Sequence, residues 1–362
     1  MKIIVAIDSF KGCLSSSEAN KAVAEGILQR MPSAKVIQIP VSDGGEGWLE
    51  AFHAAFLSFH QSARLMEVRV KDPLMRLITA QYLLQGSTAV IEMAKASGLT
   101  LLSKEELNPM VATSYGTGQL VADAIRQGAR HVIIGLGGSA TSDAGIGMLR
   151  ALIDAFANHG AWDDIKQLKD VRFTIAIDVK NPLCGENGAA HVFAPQKGAT
   201  PDEVITLEER ARRFAEVSAR HFGYDRQEQP GAGAAGGLGY AFLQYLDADC
   251  MSGIQLLLQT IRFNETIKDA DLIITGEGSA DRQTLMGKLP YGILEQAKSR
   301  HIPVVLLAGC IKDRQELLHA GFSQVECINP RALPIEEAIK PDTARRNLIK
   351  KCQQFIFHES TP

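Results

Sequence analysis

The chain has 362 residues, which exceeds one small domain and is long enough for two domains with substantial hydrophobic cores. Its 38 Lys and Arg against 41 Asp and Glu give a formal net charge of −3 at pH 7, so no overall positive charge attracts nucleic acid. The content of 46% hydrophobic and 22% charged residues excludes a disordered or fibrous chain, and no apolar stretch approaches the roughly 20 residues that span a bilayer.

The N-terminus and the cysteines predict a cytoplasmic protein with reduced thiols. Asp8 comes too early for the apolar region of a secretory signal, and no small-residue cleavage site follows it. The six cysteines form no C-x-x-C pair, which argues against a zinc knuckle or a redox dithiol. We expect most of these thiols to lie in the core.

Apolar runs rich in Val and Ile, separated by helical patterns, predict an α/β fold. A strand over 3–7 is followed by a helix that Ser15 and Glu18 cap and that continues to about Met31. The next predicted elements are strands over 36–39, 68–70, 78–84 and 89–93, a helix over 116–127, a strand over 131–136, a helix over 143–155 and a strand over 173–178.

The alternation of strand and helix at the N-terminus returns near the C-terminus. The predicted elements there are strands over 271–275, 304–308 and 324–328, with helices near 292–299 and 315–320. We therefore predict a Rossmann-like or flavodoxin-like parallel-sheet domain formed by both chain ends, residues 1–64 plus 265–362. Residues 65–264, which carry hairpin-like strands and glycine-rich loops, are predicted to form a second α/β domain inserted into the first.

Two glycine-flanked loops follow the first two strands, at the edge where ligands bind in open α/β sheets. The first contains Asp8, Ser9 and Lys11, and the second contains Asp43 and Glu46 among three glycines. Taken singly, such residues are most often turn or N-cap residues. Two carboxylates among three glycines favour metal or substrate binding.

A third loop, GLGGSATSDAG, lies between a strand and a helix, an arrangement that binds phosphate. Its candidates are Gly137, Gly138, Ser139 and Thr141; the alternative is tight packing that merely requires small residues.

The sequence of residues 231–236 matches G-x-G-x-x-G, but no strand precedes it, so a dinucleotide-binding fold is not indicated. We expect the glycines of this segment, including Gly236 and Gly237, to let a ligand or a neighbouring backbone approach closely.

Two further regions carry polar side chains after predicted strands. Asp178 is placed at the end of the strand over 173–178, where it could act as a base, bind a metal or cap a turn, and Lys197 follows in PQKG. The loop after residue 274 supplies carboxylates, a hydroxyl and an ammonium, a mixture that suits Mg²⁺ together with phosphate. Its candidates are Glu277, Asp281, Thr284 and Lys288.

The motifs DSFKG, SDGGEG, GLGGSATSDAG, PQKGAT, PGAGAAGGLG and TGEG occur in this order, and together they resemble the glycerate kinase type I family almost from end to end. The resemblance implies ATP-dependent phosphorylation of D-glycerate, with 2-phosphoglycerate the favoured product, and an active site in the cleft between two α/β domains. One departure is Ser279, which stands where family members commonly have Arg; Arg282 is a candidate to replace that contact.

These observations give a hypothesis for each candidate residue. We expect Asp178, Lys11 and Lys197 to be catalytic, with Asp178 as the base, and Asp43, Glu46, Glu277 and Asp281 to bind Mg²⁺. The expected substrate or phosphate contacts are Asp8, Ser9, Gly137, Gly138, Ser139, Thr141, Gly236, Gly237, Thr284 and Lys288.

Other functions remain open at this point. The glycine loop is similar to the phosphate loop of galactokinase-type kinases, and another sugar-acid kinase or a non-catalytic metabolite-binding protein would also use such loops. A nicotinamide oxidoreductase, which rests on the GAGAAG string alone, is the weakest alternative. The expected partners are glycerate and ATP, without nucleic acid or membrane, and the chain is expected to be a monomer or homodimer.

Overall fold

The computed structural model describes residues 1–10, 12–42, 44–45, 47–58, 62–330 and 333–354. Its strands are β1 (Lys2–Ile7), β2 (Lys35–Gln38), β3 (Arg64–Lys71), β4 (Leu77–Gln85), β5 (Thr88–Glu92), β6 (His131–Gly135), β7 (Arg172–Ala176), β8 (Asp249–Met251), β9 (Leu272–Ala280), β10 (Val304–Ile311) and β11 (Gln324–Cys327). Its helices are α1 (Ser16–Arg30), α2 (Trp48–Ser58), α3 (Ala94–Ser97), α4 (Tyr115–Arg126), α5 (Ile146–Phe156), α6 (Ala189–Phe193), α7 (Pro201–Phe222), α8 (Ala234–Leu246), α9 (Gly253–Thr260), α10 (Phe263–Thr266), α11 (Leu289–Lys298), α12 (Arg314–His319), α13 (Ile335–Ala338) and α14 (Pro341–Gln354).

Local capping chemistry fixes the ends of the long helices. Ser15 and Glu18 form the predicted capping box of α1, which ends at Arg30. The 22-residue helix α7, which the sequence analysis did not predict, begins with a second capping box between Thr200 and Glu203. Gly223 ends α7 with a φ of 77°, a left-handed conformation that glycine adopts without strain.

The chain folds into two compact units, which we describe separately. Unit 1 contains Met1–Asp43, Glu50–Phe59 and Ile254–Pro362. Its five strands form a parallel sheet in the order β11-β10-β9-β1-β2. The pairing of β1 with β9 joins the two ends of the chain in one sheet, and the buried apolar side chains of these strands form the core of the unit.

Unit 2 contains Gly44–Leu49 and His60–Gly253. Its six strands follow the order β3-β4-β5-β6-β7-β8, with antiparallel pairs from β3 to β5 and parallel pairs from β5 to β8. Buried side chains from the sheet and from α4, α5 and α8 form one core, in which the rings of Phe173 and Phe242 lie 6.1 Å apart. Together the two sheets confirm the predicted α/β class, with a parallel-sheet unit formed by both chain ends.

Three expectations about local structure are wrong. Strand β7 ends at Ala176, so Asp178 follows the strand by two residues instead of ending it. Strand β9 continues through TGEG to Ala280, because β10 pairs with it as far as Ala280, beyond the end of its pairing with β1 at Gly276. All six cysteines are free as predicted, but only Cys184 and Cys352 are buried, so most of the thiols do not lie in the core.

In the part of the chain that the structure describes, no helix is long and apolar enough to cross a membrane.

Candidate active site

The loop between β6 and α5 holds the predicted phosphate-binding residues of unit 2. Its start packs closely against the segment before α2: the Gly137 N–H donates to the Gly44 carbonyl at 3.1 Å, and a Cβ on Gly137 would lie 2.5 Å from the Gly45 Cα. Gly138 has a φ of 76° and is exposed. Two glycines are therefore needed here for backbone approach and for the turn, whether or not a ligand binds.

Lys197 reaches this loop from a separate segment. It ends the 3₁₀ helix Pro195–Lys197, and its side chain is buried. The Lys197 ammonium donates to the Ser139 hydroxyl at 2.7 Å and to the Thr141 carbonyl at 2.6 Å. Burial disfavours the charged form and lowers the pKa of Lys197 to about 7, and the nearby Asp143 carboxylate opposes part of that shift. The structure thus brings together three of the predicted site residues.

Two hydroxyls on the same loop are buried without a partner. Among the described residues, the Thr141 Oγ1 and the Ser142 Oγ are such atoms. An unpaired buried hydroxyl costs free energy unless something else satisfies it. A lysine ammonium and two unpaired hydroxyls therefore lie together at the loop for which the sequence predicts phosphate binding.

Asp143 organises the end of this loop, and the sequence analysis did not select it. Its Oδ2 accepts hydrogen bonds from the backbone N–H and the hydroxyl of Ser114, at 2.8 and 2.9 Å, and from the Gly147 N–H at 3.1 Å. Its Oδ1 accepts from the Gly145 N–H at 3.1 Å. One carboxylate thus joins the start of α4 to the start of α5. The available signal was an acidic residue immediately before a glycine-rich helix start.

The glycines of α8 have a packing role. Gly236 and Gly237 have φ values of 65° and 87° inside the first turn of α8. A Cβ on Gly236 would lie 1.9 Å from the Thr141 carbonyl oxygen, and the Gly236 carbonyl accepts from the Ala144 N–H at 3.0 Å. These glycines hold α8 against the phosphate-loop candidate, and their contact with a ligand stays a prediction.

The predicted base, Asp178, is exposed and lies on the segment that follows β7. The Ser252 hydroxyl, at the end of β8, donates to its Oδ1 at 3.4 Å. An exposed carboxylate is accessible to a substrate hydroxyl, but Asp178 does not occupy the strand-end position that the sequence suggested. Its role as base stays a prediction.

In unit 1, predicted residues meet where β1 ends beside β9. Ile7 pairs with Gly276, so Asp8 and Glu277 follow paired positions of neighbouring parallel strands. The Asp8 carboxylate accepts from the Ser9 N–H at 2.8 Å, and both Asp8 and Glu277 are largely buried. This register explains why two carboxylates far apart in the sequence reach one edge of the sheet.

The other unit 1 candidates surround Glu277. Its Oε1 accepts from the Thr284 hydroxyl at 2.6 Å, and its Oε2 lies 3.9 Å from the Lys288 ammonium. Asp281 caps the 3₁₀ helix Arg282–Met286 through a 2.9 Å hydrogen bond from the Gln283 N–H. The Arg282 guanidinium forms an ion pair with Glu316. Its expected contact with a substrate anion, in place of the family's Arg, stays a prediction.

Three candidates, Lys11, Asp43 and Glu46, lie outside the described residues. Within the described ranges, no three His, Cys, Asp or Glu side chains are grouped so as to hold a metal ion. The described carboxylates therefore form no metal cage of their own, although a cation bound to substrate phosphates needs only one or two carboxylates.

Comparisons with known proteins agree across the whole chain. The model of the glycerate kinase family matches residues 3–358. The chain is 40% identical to a glycerate kinase of Bacillus subtilis (strain 168) over 361 residues, covering 94% of this chain and 93% of the relative. It is also 40% identical to a glycerate 2-kinase of Escherichia coli (strain K12), with the same coverage.

A solved structure has the same fold. The crystal structure assigned as glycerate kinase 2 from Salmonella typhimurium LT2 aligns with a TM-score of 0.79 at 35% sequence identity. The alignment covers 98% of this chain and 96% of that one.

Proposed function

This chain belongs to the glycerate kinase family, and we propose that it transfers the γ-phosphate of ATP to the 2-hydroxyl of D-glycerate, forming 2-phosphoglycerate and ADP. The relative from Escherichia coli, whose name specifies a 2-kinase, supports the choice of hydroxyl. The family membership favours this function over a galactokinase-type kinase, a metabolite sensor or an oxidoreductase.

The observation that carries the proposal is the buried Lys197 ammonium on the loop over residues 137–142. Phosphoryl transfer passes through a loose transition state, so catalysis depends mainly on positioning and on neutralising phosphate charge. Lys197 supplies the positive charge, and the hydroxyls of Thr141 and Ser142 supply donors that lack another partner among the described residues. Polyphosphate binding here would favour the charged form of Lys197.

The carboxylates of unit 1 support a role in holding Mg²⁺. Magnesium in kinases usually binds one or two carboxylates together with substrate phosphates. Glu277 is the described candidate, a largely buried carboxylate whose Oε1 accepts from the Thr284 hydroxyl and whose Oε2 lies 3.9 Å from the Lys288 ammonium. Asp281, Asp43 and Glu46 are the further candidate ligands. When bound, the cation would neutralise charge on the transferred phosphate.

The remaining roles follow the sequence. We assign Asp178 as the base that receives the proton of the attacking hydroxyl, because its exposed carboxylate is accessible to a substrate. Lys11, Ser9 and Lys288 are candidates to bind the anionic groups of glycerate or ATP, and Asp8 is a candidate to accept a hydrogen bond from a substrate hydroxyl.

The proposal extends to the domains of the chain and to its location and assembly. We propose that the two compact units act as two domains, one formed by both chain ends and the other inserted between them. Free cysteines are typical of a reducing compartment, which supports a cytoplasmic location. A monomer or homodimer acting on small molecules stays part of the proposal.

The proposal is tested by measuring ADP release from Mg²⁺·ATP in a coupled assay with the purified protein. We expect release to depend on D-glycerate and to be far slower with L-glycerate or with sugar acids of four or more carbons. ATP binding without acceptor-dependent turnover would instead support a metabolite-binding protein.

A further inference from the structure

Unit 2 contains a cavity of about 520 Å³ beside the phosphate-loop candidate. The start of α5, the segment before α4 and one side of α7 form its walls. The residues on which the inference depends are Met75, Val111, Ser142, Ile146, Leu207 and Ala211. A cavity of this size with mainly apolar walls and few polar groups is typical of small-molecule sites.

Large apolar side chains are exposed at this cavity. Met75, Val111 and Ile146 are 45%, 61% and 45% exposed. Leu207 and Ala211 of α7 add buried apolar surface to the same wall. Solvent-exposed apolar side chains gathered in one concavity indicate a surface that something covers, whereas isolated ones do not.

The polar groups of the cavity suit a nucleotide. Ser142 lines it and carries one of the unpaired buried hydroxyls. Arg150 and Arg210, which are both exposed, also line it, with Arg150 paired to Asp154 at 2.9 Å and the Asp143 carboxylate in the same lining. Ser142 is adjacent to Thr141, whose carbonyl accepts the 2.6 Å hydrogen bond from Lys197. The cavity lining therefore includes the residue next to the one that accepts a hydrogen bond from the buried ammonium.

We propose that this cavity binds the adenosine part of ATP, with the phosphates directed along residues 139–142 towards Lys197. The inference rests on the proposed function and specifies where its donor substrate binds. A purine has two flat apolar faces that match Val111 and Leu207, and its ring nitrogens or the ribose can pair with the Ser142 hydroxyl. Glycerate does not fit this wall, because its carboxylate and two hydroxyls leave almost no apolar surface.

The test narrows the cavity with Val111→Trp and compares this variant with Val217→Trp. Val217 is a matched control because it is also an exposed valine, 56% against 61%, and it lies on α7 outside the cavity lining. ADP and inorganic tripolyphosphate are titrated calorimetrically into each folded protein. Ile146→Trp serves as a second cavity variant if Val111→Trp does not fold.

We expect the cavity variant to bind ADP about ten-fold or more weakly, the scale on which a pocket discriminates apolar groups, while Val217→Trp binds ADP normally. Tripolyphosphate affinity and the KM for glycerate should stay unchanged in both variants. Unchanged ADP affinity, an equal loss for tripolyphosphate, or a raised KM for glycerate alone would overturn the inference. Absence of glycerate turnover in the wild type would contradict the proposed function instead, since ADP binding is measured without turnover.

Discussion

The Lys197 ammonium lies 2.7 Å from the Ser139 hydroxyl, although the two residues are 58 positions apart in the chain. This hydrogen bond fixes a nearly inaccessible lysine, 2% exposed, against the glycine loop that follows β6. A lysine is rarely buried without a carboxylate in direct contact, because the interior disfavours its charge. Here the nearby Asp143 carboxylate offsets part of that cost, and we expect an anionic ligand on this loop to offset more of it.

Replacing Lys197 tests that charge. Lys197→Met keeps an apolar stem of similar length but removes the ammonium, and we expect kcat to fall by about 10²-fold or more, the scale for removing one preorganised electrostatic contact. Steady-state kinetics with D-glycerate and ATP measure the effect. Lys166→Met, at an exposed lysine outside the site, is the control and should keep wild-type kcat. Equal rates for the two variants would show that Lys197 is only structural.

The same lysine predicts a pH dependence of stability. Its pKa is about 7 in the folded protein against an ordinary value of 10.5, so between these pH values the unfolded chain holds a proton that the folded chain has lost. Raising the pH therefore favours folding, by about 1.4 kcal/mol per pH unit for one proton. Below pH 7 and above 10.5 this contribution no longer changes.

Denaturant unfolding of the wild type and of Lys197→Met at pH 7.5, 8.5 and 9.5 isolates the contribution of Lys197 to stability, because the two proteins share every other titrating group. The free energy of unfolding of the wild type should rise relative to that of the variant across the series. A difference that stays constant with pH would mean that Lys197 keeps an ordinary pKa.

The base assignment is tested at Asp178. Asp178→Asn removes the proton acceptor but preserves the shape of an exposed side chain, so we expect normal folding, near-normal ADP affinity and a loss of about 10²-fold in kcat. Kinetics and ADP titration are compared with Asp170→Asn, another exposed aspartate on the segment before β7. If both variants turn over like the wild type, Asp178 is not the base.

Gly236 should tolerate no side chain. In Gly236→Ala the new Cβ meets the Thr141 carbonyl, and the left-handed φ of 65° adds strain, so we expect a loss of at least about 2 kcal/mol in the free energy of unfolding. Gly223→Ala is the matched control, with a φ of 77° and no atom within 4 Å of the added Cβ, and should cost about 1 kcal/mol. Similar losses of unfolding free energy in the two variants would contradict close packing at Gly236.

The sequence predicted what local signals determine. The Ser15 cap and the apolar runs of β1, β6 and β10 are patterns within a few residues, so the element types and the α/β class follow from them. Strand β9 was predicted too short because its second half is polar and glycine-rich, and pairing with β10, which no local pattern shows, keeps that half extended.

The candidate site was predictable as a set of loops but not as a geometry. Two of the hydrogen bonds of Asp143 come from Ser114, 29 residues earlier, and no local pattern predicts them. Similarly, PQKG reads as a surface turn, and only the tertiary fold buries Lys197 on the glycine loop. The 3–7 strand and Asp8, in contrast, meet β9 as the parallel-sheet pattern implies.

The most direct test of the central claim is ³¹P NMR identification of the product formed from D-glycerate and Mg²⁺·ATP by the purified protein. Phosphate esters on the 2- and 3-hydroxyls couple to different numbers of protons, one and two, so the spectrum distinguishes the two products. The account predicts a single new resonance, split into a doublet, from 2-phosphoglycerate, accompanied by ADP. A triplet from 3-phosphoglycerate would contradict the assigned hydroxyl, and no new phosphate ester from folded protein at saturating substrates would contradict the function itself.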